Sequence, residues 1–192
     1  MGYLILGLLM FVGVHSVRMV APQWRDRMRT RFGVAVWKLL YSASSLAGLV
    51  LVIWGFGVAR EQPVVLWTPP VALRYVTDVL TMVAFVLLCA AYVPGNHIKA
   101  RVHHPMVLAV AVWALAHLLS NGMLAHAVLF GSLLVWAACS FMSGWRRDRV
   151  AGEVYCAGEI ARTVLTLLLG VVTWALTASW LHGLTIGMRP LL

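Results

Sequence analysis

The sequence predicts an all-α integral membrane helical bundle of about six transmembrane helices, and three observations carry that reading. Apolar residues make up 62% of the 192 residues and charged residues only 11%, against about 45–50% and about 25% in soluble globular chains. A mean hydropathy of +0.89 is too high for a globule this small to hide from water, so lipid is the natural solvent. The 15 Lys and Arg fall mostly in short gaps between apolar runs, so the net charge of +9 reads as topology and contact with anionic lipids. A nucleic-acid partner is excluded on that placement.

A spanning helix needs about 20 mostly apolar residues, with a range of roughly 17–25. Six stretches meet this: 3–21, 35–58, 71–93, 105–121, 124–144 and 163–186. No positive charge precedes the first and Arg18 closes it, the pattern of an uncleaved span rather than a signal peptide. Pro63, Pro69 and Pro70 break the chain after the second span. The fourth is short and ends at Asn121-Gly122, a tight-turn pair that predicts a hairpin with the fifth. Residues 145–162 are charged and amphipathic, and predict a short helix lying on the membrane surface. No internal repeat interrupts the chain, which predicts a single domain over 1–192. Cys89, Cys139 and Cys156 form no even disulfide framework and read as packing residues.

Orientation follows from the positive-inside rule. With the N-terminus outside, the inner segments hold Arg18, Arg25, Arg27, Arg29, Arg31, Lys38, Lys99, Arg101, Arg146, Arg147, Arg149 and Arg162, and the outer ones only Arg60, Arg74 and Arg189. Twelve against three places both termini in the periplasm of a bacterial inner membrane.

The seven histidines are the unusual feature, because ionisable groups inside a bilayer are costly and usually face the bundle interior. His97, His103 and His104 fall at the cytoplasmic end, while His15, His117 and His126 fall within spans and His182 toward the periplasmic side. One buried imidazole is commonly glue between helices; several together favour a shared ligand. There is no C-x-x-C or H-E-x-x-H, which argues against zinc. Neutral imidazoles on different helices in an apolar, Trp- and Met-rich shell suit haem. His104 and His117 are thirteen residues apart, about 220° around one helix, and cannot share a pocket. Trp113, His117 and Asn121 share a face, as do Leu8, Phe11 and His15. His117 with His126, at similar depth, is a second geometric pairing. Asp78 lies inside a span, with Arg74 one turn earlier as its expected ion-pair partner.

The runs Val14-His15-Ser16, His103-His104-Pro105-Met106, Trp113-Ala114-Leu115-Ala116-His117-Leu118-Leu119-Ser120-Asn121-Gly122 and Leu129-Phe130-Gly131, with the basic segment from Trp145 to Arg149, resemble the NnrU family over essentially the whole chain. The resemblance implies a membrane protein linked to nitrite and nitric oxide metabolism in denitrifying bacteria. That family is in turn similar to the plant 15-cis-ζ-carotene isomerase, a haem b protein. The implied axial ligands are His15 and His117, with Trp113, Asn121 and His104 as further cofactor-binding positions. A small apolar or gaseous ligand would fit such a site. The isomerase's cysteine three residues before its second ligand is Ala114 here, and the acidic residue that many members carry after Asn-Gly is Met123. Haem-dependent isomerisation of a polyene, methyl transfer from the His104-Pro105 helix start, and a non-enzymatic assembly scaffold are the alternative functions. The sequence does not decide whether the chain is an enzyme.

Overall fold

A computed structural model describes residues 1–187 of the chain. Its helices are α1 Gly2–Val20, α2 Pro22–Phe32, α3 Val34–Glu61, α4 Ala72–Tyr92, α5 His97–Val102, α6 Pro105–Ser120, α7 Leu124–Ala151, α8 Ile160–Leu176 and, after a π-helical turn at Thr177–Leu181, α9 His182–Ile186. Among the described residues five helical stretches are long and apolar enough to cross a membrane: Gly2–Val20, Val34–Glu61, Ala72–Tyr92, Leu124–Ala151 and Ile160–Ile186. The sixth expected span is α6, an apolar helix of 16 residues, short of the usual minimum. Each predicted span therefore has its helix, with ends shifted by a few residues. Arg189 lies outside the described residues.

Three elements depart from expectation. The basic stretch after α1 is itself a helix, α2, opened by Pro22 at its first turn, where proline's missing N–H costs nothing. The predicted surface helix at 145–162 does not exist: α7 runs on to Ala151, and residues 152–159 carry no helix. Gly152, at φ +64°, supplies the left-handed residue on which helices commonly end. The last span is continuous in sequence but widens into the π turn at Thr177–Leu181.

The described residues divide into two compact units, Met1–Trp67 with Gly122–Trp136, and Thr68–Asn121 with the described residues from Ala137 onward. In the first, α1 and α3 run antiparallel and meet through glycines. A Cβ on Gly7 would lie 2.6 Å from the Val52 nitrogen, one on Gly48 would lie 2.8 Å from the Phe11 nitrogen, and one on Gly55 would collide with the Leu4 backbone. Close backbone approach of this kind replaces the hydrophobic drive that lipid abolishes. Residues after α3 pair with the turn before α7: Leu66 N–H donates to Gly122 O at 2.7 Å and Leu124 N–H to Val64 O at 2.8 Å. Gly122 has to be glycine, since a Cβ there would overlap the Trp67 carbonyl.

In the second unit α4 is central. Its Thr77 hydroxyl donates to Ala116 O of α6 at 3.1 Å, and its Thr81 hydroxyl accepts from Trp174 Nε1 of α8 at 3.0 Å. Gly170 of α8 sits against Val86 of α4, where a Cβ would come 2.6 Å from the Val86 Cα. The corner between α4 and α5 is built on Asn96, only 1% exposed. Its Oδ1 accepts from Lys99 N–H at 2.7 Å, and its Nδ2 donates to Ala90 O at 2.9 Å and Val93 O at 2.6 Å.

Gly48→Leu is expected to wedge α1 from α3 and destabilise the protein by roughly 1–3 kcal/mol, the usual range for overpacking. Gly57→Leu, on the same helix with nothing within 4 Å of its Cβ direction, is expected to leave stability unchanged. Thermal denaturation of both variants in detergent checks the pair.

Candidate functional site

The helical register places the candidate residues before any packing does. In α1 the His15 Nδ1 lies 2.6 Å from Phe11 O, one turn earlier. In α6 the His117 Nδ1 lies 2.9 Å from Trp113 O, again one turn earlier. A carbonyl only accepts, so in both rings the Nδ1 carries the proton and the lone pair sits on Nε2. That is the tautomer in which an imidazole ligates a metal through Nε2, its orientation fixed by a backbone carbonyl on the other nitrogen.

Around His15 stand the Phe11, Tyr41 and Trp136 rings, at centroid separations of 4.3, 5.4 and 5.8 Å. Trp136 meets it edge-on, at 83°, and the Trp136 Nε1 is buried without a hydrogen-bond partner among the described residues. An orphaned indole N–H costs free energy unless something else accepts from it. Around His117 the expected face is present: Trp113 at 4.8 Å, and Asn121, whose Nδ2 donates to His117 O at 2.9 Å.

His126 packs between Phe56, edge-on at 5.1 Å, and Phe130 at 6.1 Å, and its Nδ1 is also buried without a partner among the described residues. Among the described residues no group of three or more His, Cys, Asp or Glu is disposed to hold a bare metal ion.

The remaining histidines are committed elsewhere. His97 is glue of the ordinary kind, its ring nitrogen 2.9 Å from the Thr163 hydroxyl. His104 lies with its Nε2 2.9 Å from Asp148 Oδ2. His103 points its Nδ1 at the same oxygen from 3.7 Å, and the Tyr155 hydroxyl donates to it at 2.9 Å. Burial first, and then this bond to the Asp148 carboxylate, push the Tyr155 hydroxyl up to about 12. Sequence reading missed Asp148 and Tyr155, because a charged segment after a span looks like solvated surface; the only available signal was two adjacent histidines at the same membrane end.

The ion pair expected between Arg74 and Asp78 does not form; among the described residues no cation lies within 4.0 Å of Asp78. Arg74 lies in the first turn of α4. Of the cysteines, Cys89 is half-buried against the Thr173 hydroxyl at 3.8 Å, while Cys139 and Cys156 are exposed.

Helices of spanning length and composition, packed through glycines and self-satisfying hydroxyls, define a polytopic membrane protein with histidines set inside its helices. The family model described as NnrU protein matches residues 3–190, nearly the whole chain. The protein belongs to the NnrU family. No curated protein and no solved structure matches it.

Asn96→Ala would strand Lys99 N–H and two carbonyls at a buried corner. It is expected to cost roughly 1–3 kcal/mol, the penalty for leaving buried polar groups unmade, read as a lowered denaturation midpoint.

Proposed function

We propose that the chain binds haem b in the bacterial inner membrane, where His15 and His117 would hold it, and that it serves nitrite or nitric oxide metabolism. The observation that carries the haem reading is the matched state of the two imidazoles. Each is oriented by the carbonyl four residues before it and keeps its lone pair on Nε2. The link to nitrogen oxides rests on the resemblance to the NnrU family, to which the chain belongs.

Bound haem would supply an iron able to exchange an electron. The chain's own residues do the rest. Phe11 O and Trp113 O hold the rings in one tautomer, which keeps each Nε2 basic and stops the imidazole from swivelling. The aromatic groups beside His15 exclude water, and the buried Trp136 N–H is a donor awaiting an acceptor.

The test is the visible spectrum of the protein purified in detergent after haem-replete expression, oxidised and then reduced. The expected result is a Soret band with sharp reduced α and β bands near one haem per chain, lost or reshaped in His15→Ala and in His117→Ala. A folded, colourless wild type would overturn the reading.

Orientation has its own check. The excess of Lys and Arg in the segments assigned inside supports a cytoplasmic position for residues 145–162, which include the exposed Cys156. In a variant keeping only that cysteine, a membrane-permeant maleimide is expected to label intact cells and an impermeant one to label only lysed cells. Labelling of intact cells by the impermeant reagent would reverse the topology.

A further inference from the structure

The His103–His104–Asp148–Tyr155 cluster is not used by the haem reading, and it is built rather than incidental. His103 has φ 60° and ψ −47°, and the His104 N–H donates across it to Val102 O at 2.6 Å. That is the γ-turn with positive φ, rare and strained for a residue with a side chain. The strained turn puts the His103 ring between two others: Trp145 at 4.5 Å and 9° on one side, Tyr155 at 3.9 Å and 16° on the other. Gly144 leaves room for the neighbouring ring, since a Cβ there would come 2.6 Å from His104 Nε2. His103 and His104 also line an open cavity of about 210 Å³ with Lys99, Ala91 and Met106.

Both histidines thus face one carboxylate oxygen while touching a cavity through which a proton can arrive. The contacts are near but not aligned: His104 Nε2 is 2.9 Å from Asp148 Oδ2, yet neither it nor His103 Nδ1 meets hydrogen-bond geometry. A misdirected N–H gains little while the ring is neutral. The same separation gains a charge–charge attraction once the ring is an imidazolium.

We propose that this cluster is a proton-binding site that works as a pH-sensitive latch. Protonation of His103 and His104 clamps the start of α6 to the end of α7 and to the 152–159 segment that carries Tyr155. The charged groups around it are Lys99 on α5, which lines the cavity, Arg101 at the end of the same helix, Arg147 and Arg149 flanking Asp148 on α7, and Glu153 beside Tyr155. Asp148 is the group that both rings answer to. Imidazoles titrate between about pH 5 and 8, so the latch tightens as pH falls through that window while Asp148 stays ionised.

The experiment uses the full chain in lipid nanodiscs. An imidazolium stacked on an indole quenches it, so part of the tryptophan emission is expected to disappear between about pH 8 and pH 5.5. That component is expected to be absent in Trp145→Phe and in His103→Gln. Hydrogen exchange at 152–159, corrected for the intrinsic effect of pH, is expected to slow roughly two- to fivefold at the acid end, the factor a partly exposed ion pair supplies. It is not expected to slow in Asp148→Asn. Emission that is flat in the wild type, or acid protection that survives in Asp148→Asn, overturns the proposal. Should Asp148→Asn fail to reach wild-type helicity by circular dichroism, His103→Gln carries the same exchange measurement, and protection persisting there overturns it equally.

Discussion

A bilayer offers no hydrogen bonds, and the helices of this protein are arranged around that fact. Every polar group placed within a span must find its partner inside the protein, and most find it on their own helix. Ser16 donates to Val12 O, Thr77 to Leu73 O, Ser120 to Ala116 O, Ser132 to Val128 O and Thr173 to Leu169 O, each four residues back. Self-satisfaction makes these side chains cheap to carry in lipid without specifying any neighbour. Specificity between helices then comes from a few groups that reach across, such as Thr77 to Ala116 and Trp174 to Thr81. Glycines that admit another backbone supply the rest.

The same constraint separates polar groups that are settled from those that are not. Trp136 Nε1, Trp145 Nε1 and His126 Nδ1 are buried and unmatched among the described residues, in a chain that satisfies most of its span hydroxyls locally. An indole N–H or ring nitrogen left unmatched in apolar surroundings is costly. The corner at Asn96 is the opposite case, where one side chain satisfies three backbone groups at once and orders the connection into α5.

Spans were legible because their signal is composition over some twenty residues, and no packing detail alters it. The faces were legible too: Phe11 with His15, and Trp113 and Asn121 with His117, follow from helical spacing and are found in contact. What sequence could not give was anything decided between elements. Asp148 meets His104 across 44 positions and Tyr155 across seven, and in neither case does one helix carry both residues, since α7 ends at Ala151. The basic run after α1 and the charged run after Trp145 have similar compositions. The first folds as α2; the second splits into the end of α7 and an extended segment, because Gly152 ends the helix. Arg74 and Asp78, by contrast, have the right spacing for a pair and do not make it, since an i,i+4 ion pair is worth only a few tenths of a kcal/mol and loses to small differences in side-chain placement.

The histidines, anomalous as a set, become intelligible once sorted by what each ring nitrogen does. His97 bonds a hydroxyl, and His103 and His104 face a carboxylate; these rings are placed by tertiary contacts. His15 and His117 differ because one nitrogen is spent on their own helix before any tertiary contact is made. An i−4 carbonyl bond does nothing to join helices, so it is poor glue. What it does is fix a tautomer and a direction, and a fixed direction is useful only to a group that must meet something at a defined angle. Two rings on different helices, prepared in the same way, are what the proposed ligation would require.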